Sequence, residues 1–415
     1  MPVTPNQIYQ KVQELPPLPL AMQKLCSIAG NTEVDADELV RVISMDEGLT
    51  TKLLRVANSG HYGMGRESVT VSDVLMVLGL KEIQNVAIAM TLIDFKTGVE
   101  GNCRLKRECL WQHSLAVASS MRLIAPLFGL PNPDELYVGG LLHDIGKIIF
   151  SDYFAGQYNE VLERTAMGQR TLKAAEREAF GINYAALGHE VCCHWKLPPA
   201  IRKMVDHQAI FISDKASASV QELTAGAMEV ANGLVRLARI GDDGDPVIGG
   251  DFFQVLQALE IDFGDLREFL PVIQEEARQA EKFLGLKGAM PIPQSPGPSA
   301  PMVGILLKND RGREILKLAL LGSGCLPNDN VEVVTEKIPL LAMLIDDQPP
   351  EALIQSCEQF QVPTLNFALW HRENNPSGRT SQFDHVRLGE WLDKSFAEIK
   401  AKKAAVQESP PPAVP

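Results

Sequence analysis

Residues 139–147 read Gly139-Gly140-Leu141-Leu142-His143-Asp144-Ile145-Gly146-Lys147. Adjacent imidazole and carboxylate groups stand here in an apolar, glycine-flanked segment that we expect to be helical. Such groups must be paired if they are buried, and together they suit a divalent transition metal. Successive helical residues point about 100° apart, so other helices must complete a metal shell beside this one. The alternative is a buried histidine that is hydrogen-bonded to its neighbours.

The surrounding block, about residues 1–286, is predicted to be almost entirely helical. Between Lys81 and Phe95, for example, apolar residues recur at helical spacing. We expect Ser72 to cap the preceding helix and Gly79 to end it. Further helices are predicted over 38–43, 49–57, 107–128, 134–149, 155–168, 171–180, 183–195, 198–208, 218–238 and 264–285. The expected fold is an all-α domain over about 10–286, with sub-bundles over about 10–100 and 101–286.

The chain changes character after this block. Residues 287–301, KGAMPIPQSPGPSAP, are predicted to be a linker. Beyond the linker, strands are predicted over 302–307, 331–335, 340–345 and 363–370, and helices over 311–321, 349–360 and 388–402. This alternation favours a small α/β domain of three layers over 302–405. We expect a disordered tail over 406–415.

The composition is that of an acidic globular protein. The chain has 415 residues, with 52 Asp and Glu against 39 Lys and Arg, and a formal net charge of -13. That charge repels phosphate backbones, so no nucleic-acid partner is expected. The longest aliphatic stretches, such as 338–345, have about half the length of a membrane span, and residues 1–9 lack a secretory signal pattern. Seven cysteines without a Cys-x-x-Cys pair are typical of reduced thiols, and we expect a cytoplasmic protein.

Taken with its neighbours, the His-Asp segment resembles the HD superfamily of metal-dependent phosphohydrolases. Within that superfamily it resembles the HDOD family of bacterial signalling proteins, over most of residues 10–285. The motifs that carry the resemblance are Leu15-Pro16-Pro17-Leu18-Pro19, the segment from Ile43 to Ser59, Val77-Leu78-Gly79-Leu80, the segment from Leu110 to Ala118, Leu141 to Gly146, and Glu178 to Pro198. The resemblance implies an HD-like helical fold.

The resemblance also implies where a metal would lie. In catalytic HD relatives, a histidine on an earlier helix, the His-Asp pair and a later aspartate hold the metal. His113, His143 and Asp144 match the first three positions. The later aspartate corresponds to Asn232, and an amide is a neutral, weaker ligand. We therefore expect at most one divalent metal as a cofactor, at a site that is otherwise vestigial.

Relatives that hydrolyse cyclic dinucleotides carry further histidines. One falls where this chain has Tyr184, a His-His pair falls where it has His207-Gln208, and the Gly-Tyr-Pro motif is absent. A hydrolase needs a metal-bound water activated toward hydroxide, and a shell that has lost a carboxylate and two imidazoles is a poor candidate. His207 and Asn232 remain candidate ligand-binding residues, and Lys147 is a candidate contact for a substrate phosphate.

The α/β block resembles a degraded response-regulator receiver domain. Asp346, which follows the predicted strand 340–345, matches the phosphoacceptor position. Lys308-Asn309-Asp310 stands where a receiver has an acidic pair for magnesium, and Ala368-Leu369-Trp370 stands where it has Ser or Thr. Phosphate transfer to Asp346 would be poorly stabilised. A generic three-layer fold with carboxylates at strand ends is the alternative.

Two other groups of residues are weaker candidates. His189 and Cys193 lie four residues apart on a predicted helix, a spacing that can hold zinc. No second ligand pair accompanies them, so buried core cysteine is the preferred interpretation. A Cys-His nucleophile pair has no flanking signature. Arg55 and Asn58 precede a Gly-rich turn, for which we favour helix capping over ligand binding.

These observations lead to one main functional hypothesis and two alternatives. We expect a non-catalytic signalling protein whose HDOD block binds a partner protein or a small ligand, while the α/β block tunes or relays that state. The first alternative is a metal-dependent phosphohydrolase that acts on a nucleotide or cyclic dinucleotide through His113, His143 and Asp144, with Asn232 or water completing the shell. The second alternative is a regulator that binds a nucleotide second messenger without cleaving it.

Overall fold

A computed structural model describes residues 3–29, 35–58, 70–99, 101–166, 171–207, 212, 217–248, 250–261, 263–284, 286 and 289–293, together with Leu320 and short strands between 302 and 384. Within these residues the first block is helical, as predicted. Its helices are α1 (Pro5–Gln13), α2 (Leu20–Ile28), α3 (Ala36–Ser44), α4 (Glu47–Ala57), α5 (Val71–Leu78), α6 (Leu80–Asp94), α7 (Arg107–Phe128), α8 (Pro133–Leu142), α9 (Ile145–Tyr153), α10 (Ala155–Ala166), α11 (Leu172–Phe180), α12 (Tyr184–His194), α13 (Pro199–Val205), α14 (Val220–Leu237), α15 (Gly250–Ala258) and α16 (Phe263–Leu284).

Most predicted helices are present, with shifts at their ends. Helix α7 has the predicted bounds, whereas α1, α2 and α15 were not predicted. The prediction that Ser72 caps α5 is wrong. Thr70 is the N-cap, because its hydroxyl accepts the N–H of Asp73 at 3.1 Å and the Asp73 carboxylate accepts the N–H of Thr70 at 2.9 Å. This reciprocal capping box satisfies two backbone donors, which Ser72 does not do.

The single helix predicted over 134–149 is wrong, since the structure has two helices there. Helix α8 ends at Leu142 and α9 begins at Ile145, so that His143 and Asp144 lie in the break between them. Asp144 is the N-cap residue of α9, with φ -103° and ψ 9°, but its side chain makes no capping hydrogen bond among the described residues and instead accepts from Lys147. The apolar residues continue through both helices, so hydrophobic periodicity alone does not reveal the break.

Helix α7 lies at the centre of the domain and packs against α8, α14 and α16, while α9 packs against α12. The crossing of α9 and α12 depends on Gly146. A Cβ atom at Gly146 would lie 2.1 Å from the carbonyl oxygen of Tyr184, so a larger residue would force the two backbones apart. The glycine that follows the His-Asp pair is therefore a packing residue.

The N-terminal Leu-Pro motif and the Trp-Lys-Leu-Pro motif contact each other. The indole nitrogen of Trp195 donates to the carbonyl of Pro16 at 3.2 Å, and His194 Nε2 lies 3.1 Å from the carbonyl of Leu15. The ring of Phe95 meets Trp195 edge-on, with centroids 4.8 Å apart. These two motifs hold the N-terminal segment on the helical domain.

The second block contains four short parallel strands among its described residues. They are β2 (Met302–Leu306), β3 (Leu326–Asn328), β4 (Leu340–Ile345) and β5 (Thr364–Asn366), in the sheet order β3-β2-β4-β5. A separate two-residue ladder pairs β1 (Val247–Ile248) with β6 (Phe383–Asp384), antiparallel. The predicted strand 331–335, the predicted helices 349–360 and 388–402, and Asp346 lie outside the described residues. Of the predicted helix 311–321 only Leu320 is described, and it is helical and buried.

No single helix within the described ranges combines the length and apolar character needed to cross a membrane. Helices α5 and α6 pass that test as a pair, but they are bent by 116° relative to each other.

Candidate functional site

His113, His143 and Asp144 come together in the structure. Helix α7 supplies His113, and the break between α8 and α9 supplies the other two residues. One ligand atom from each of the three lies within 4.8 Å of the others. All three side chains are buried, with at most 1% of each exposed. The sequence therefore identified a true spatial cluster.

The orientation of His143 is set by its own backbone. Its Nδ1 lies 2.7 Å from the carbonyl oxygen of Gly140, so Nδ1 carries the proton and Nε2 carries the lone pair. His143 Nε2 lies 3.3 Å from Asp144 Oδ1, and neither of these two buried atoms has a hydrogen-bond partner among the described residues. Two facing acceptors repel each other unless a proton or a cation lies between them.

His113 is held in a different way. Its Nε2 lies 2.9 Å from Asn232 Oδ1 and 4.0 Å from a carboxylate oxygen of both Asp144 and Asp243. Because the amide oxygen of Asn232 can only accept, Nε2 carries the hydrogen in this arrangement and offers no lone pair to a metal. Burial lowers the pKa of His113 to about 4, so the ring is neutral at pH 7.

Lys147 places a positive charge inside the cluster. Its ammonium lies 3.0 Å from Asp144 Oδ2, 2.8 Å from Asp243 Oδ2 and 4.2 Å from the ring centroid of Tyr184. Burial lowers the pKa of Lys147, but the two carboxylates outweigh burial and leave the pKa raised. The ammonium is thus charged and bound within the chain, where the sequence analysis considered a contact to a substrate phosphate.

Asp243 is a residue of this cluster that the sequence analysis missed. It lies on the loop after α14, where the guanidinium of Arg236 bonds to its carboxylate. Burial raises the pKa of Asp243, but Arg236 and Lys147 outweigh it and hold the pKa well below its ordinary value. The loop reaches the cluster because Gly241, at φ 69°, packs on α7, where a Cβ atom would lie 2.4 Å from the carbonyl of Cys109. The sequence feature that could have indicated Asp243 is the group of three aspartates within residues 242–245.

Tyr184 and His207 extend the cluster on the side of α12. The hydroxyl of Tyr184 lies 3.4 Å from His207 Nε2, and the rings of His207 and His143 have centroids 5.8 Å apart. Beneath them, Glu176 accepts the N–H of Tyr184 at 2.7 Å and the hydroxyl of Tyr158 at 2.9 Å. Burial raises the pKa of Glu176 to about 8. Gln208 lies outside the described residues.

These residues do not fit a hydrolytic metal centre. Such a centre has about three protein ligands and an open position for water. Here Asn232 is hydrogen-bonded to Nε2 of His113, and the cluster residues are buried from solvent. Cavities of about 340, 230 and 330 Å³ at the surface are lined by other residues. The charges of the cluster are also paired within the chain. Lys147 contacts Asp144 and Asp243, and Arg236 contacts Asp243 and Asp245.

The other sequence candidates have different outcomes. Among the described residues, His113, His143 and Asp144 are the group of three whose ligand atoms lie within 4.8 Å of one another, and the pair His189 and Cys193 is not part of such a group. Cys192 is a buried core thiol, as expected, but Cys193 is only half-buried. The turn after Asn58 lies outside the described residues.

Comparison with known sequences finds similarity in the helical domain. Residues 15–211 match the sequence model of the HDOD domain. An uncharacterized protein of Treponema pallidum (strain Nichols) is 22% identical over 195 residues, which cover 47% of this chain. They cover 37% of that relative, so the chain spans little more than a third of its length.

Solved structures share the fold. An HDOD domain protein of unknown function from Geobacter sulfurreducens superposes with a TM-score of 0.52 at 23% identity, covering 67% of this chain and 98% of that one. A proposed phosphohydrolase from Shewanella amazonensis SB2B gives 0.51 at 23% identity, covering 67% and 97%. A proposed signal transduction protein from Marinobacter aquaeolei VT8 gives 0.51 at 19% identity, covering 66% and 60%. At these identities the likeness shows the fold alone.

Proposed function

We propose that this protein is a non-hydrolytic signalling module, since residues 15–211 match the sequence model of the HDOD domain. In this proposal the helical domain binds a partner protein or a small ligand and does not cleave phosphoesters. The observation that carries the proposal is the pairing inside the cluster. Lys147 bridges Asp144 and Asp243, and Asn232 engages the one nitrogen of His113 that faces the other ligand atoms.

The cluster then has a structural role. Its members lie on α7, on the break between α8 and α9, on α14 and on the following loop, so their bonds join elements that are distant in sequence. Buried ion pairs of this kind add little net stability, but removing one partner is costly. A paired cluster therefore fixes one arrangement of the helices, which a binding surface needs.

The α/β block belongs to the same proposal as a receiver-like interaction module. The parallel strand order β3-β2-β4-β5 supports this role. It corresponds to the first four strands of the order 2-1-3-4-5 that is found in flavodoxin-like doubly wound folds. We expect no phosphorylation at Asp346. Incubation of the full chain with acetyl phosphate and Mg²⁺ tests this, and a mass increase of one phosphoryl group at Asp346 would contradict it.

A second candidate function, a metal-dependent phosphohydrolase, is favoured by one observation. His143 Nε2 and Asp144 Oδ1 are buried acceptors that face each other without partners, and one cation between them would satisfy both. Turnover of cyclic dinucleotides and other phosphodiesters with Mn²⁺ or Mg²⁺ separates the two functions. The main proposal predicts equal background rates for the wild type and His143→Ala. A wild-type rate that His143→Ala abolishes would establish the hydrolase.

A binding role is tested separately with cyclic dinucleotides. Calorimetric titration of the full chain that gives a saturable heat, with the nucleotide recovered intact, would support a second-messenger ligand. If the titration gives no heat and no thermal shift, cyclic dinucleotides are not the ligand, and a partner protein is the expected binding partner.

A further inference from the structure

A cysteine and a histidine form a hydrogen-bonded pair on α12, away from the His-Asp cluster. Cys193 Sγ lies 3.4 Å from His189 Nε2, one helical turn earlier. His189 Nδ1 lies 3.0 Å from the carbonyl oxygen of Arg202, which only accepts. Nδ1 therefore carries the proton, and the lone pair of Nε2 faces the thiol. A nucleophile, a base and a group that orients the base are the parts of an activated thiol.

Arg202 of α13 adds positive charge at the sulfur. Its Nη1 donates to Cys193 Sγ at 3.5 Å. Cys193 lies in the last turn of α12, where the partial negative charge of the helix end opposes a thiolate. The guanidinium carries a full positive charge and contacts the sulfur directly.

The other described cysteines differ from Cys193 in their burial or in the group that contacts the sulfur. Cys26 and Cys192 are buried, and burial raises the pKa of Cys26 to about 12 and the pKa of Cys192 as well. Cys109 is buried too. Cys103 is half-buried like Cys193, but its sulfur lies 3.4 Å from the amide oxygen of Asn159, which is neither a base nor a cation. Cys103 is therefore a matched control within the same chain.

We propose that Cys193 is a reactive thiol that hydroperoxides oxidise to a sulfenic acid. His189 takes the thiol proton, and the sulfur attacks one peroxide oxygen. The S–O bond forms as the O–O bond breaks, so that sulfur is oxidised by two electrons and the peroxide is reduced. The leaving oxygen takes the proton from His189 and departs as water or an alcohol. Arg202 stabilises the thiolate before the attack. This site is independent of the function proposed for the HDOD domain.

Mass spectrometry of the full chain tests the proposal. After a pulse of iodoacetamide at pH 7, Cys193 should be alkylated about ten-fold faster than Cys103, since thiolate character controls the rate. Hydrogen peroxide followed by dimedone should label Cys193. His189→Gln and Arg202→Gln should bring the ratio of rates close to one, and Arg202→Lys should retain most of it.

Equal rates for Cys193 and Cys103 in the folded wild type would overturn the proposal, whatever the variants do. An unchanged ratio in both His189→Gln and Arg202→Gln would also overturn it. Labelling of the buried Cys26 and Cys192 would show that a variant is unfolded. In that case the proposal is judged by the comparison of Cys193 with Cys103 in the wild type.

Discussion

Lys147 Nζ lies 2.8 Å from Asp243 Oδ2, although the two residues are 96 positions apart in the chain. The same ammonium lies 3.0 Å from Asp144. One buried side chain thus connects the break between α8 and α9 with the loop after α14. This connection places a positive charge of the protein itself among the carboxylates of the His-Asp cluster.

Replacing Lys147 by methionine should strongly destabilise the helical domain. The substitution keeps most of the side-chain volume, but it leaves Asp144 buried without its cation and removes one of the two cations that face Asp243. Loss of one partner from a buried pair costs about 3–5 kcal/mol. Urea unfolding followed by circular dichroism measures the free energy of unfolding.

Lys11→Met is the matched control for this substitution. It removes the exposed ion pair with Glu14, and such pairs contribute little to stability. Equal effects of the two substitutions would show that the buried bridge does not stabilise the domain.

Gly146→Ala should disrupt the crossing of α9 and α12. The added Cβ atom would lie 2.1 Å from a backbone oxygen of Tyr184, and overpacking of this kind costs about 1–3 kcal/mol or more. Gly156→Ala is the control, because no atom lies within 4 Å of a Cβ built there. It should leave the thermal midpoint unchanged or raise it, since alanine favours helix. A stable Gly146→Ala variant would be incompatible with the close approach.

Glu176 should give the protein a pH-dependent stability. Burial raises the pKa of Glu176 from 4.5 to about 8 in the folded state. Between these values the folded state keeps a proton that the unfolded state has released. Stability therefore falls as the pH rises from about 5 to 8, by at most about 1.4 kcal/mol per pH unit, and levels off above.

Glu176→Gln isolates this contribution, because the amide oxygen can still accept one of the two bonds and does not titrate. The difference in unfolding free energy between variant and wild type should shift in favour of the variant as the pH rises from 5 to 8. Parallel pH profiles for the two proteins would show that Glu176 does not titrate in this range.

The sequence predicted the helical domain and part of its polar cluster. His113, His143, Asp144, His207 and Asn232 lie together as the resemblance implied. Asp243 was not predicted, because it reaches the cluster through a loop that packs on α7, and no local sequence pattern specifies that packing. The break at His143 was not predicted, because the apolar periodicity of the sequence continues through both helices. The pairing of Cys193 with Arg202 depends on how α13 crosses α12, and tertiary contacts of that kind are not encoded at fixed sequence spacing.

Asn232→Asp should create a response to metal that the wild type lacks. The substitution adds a carboxylate beside His113 in place of the amide, and carboxylates compensate a dication better than amides do. With Mn²⁺ at about 100 times its dissociation constant, binding stabilises the folded state by about 2.7 kcal/mol. The thermal midpoint of the variant should therefore rise with Mn²⁺.

Asn232→Ala is the control for this experiment, because it removes the amide without adding a carboxylate. Its midpoint should not respond to Mn²⁺. If the aspartate variant is equally insensitive, the amide is not what keeps a metal out of the cluster.

If the His-Asp cluster is a paired structural core and not a metal centre for hydrolysis, the purified protein should hold little divalent metal. This is measured as the divalent-metal content of the full chain, purified without chelator or affinity tag, with His143→Ala measured beside it. We expect far less than one metal per chain and no difference between the two proteins. One metal per wild-type chain that is lost in His143→Ala would show that the cluster is a metal centre and would favour the phosphohydrolase.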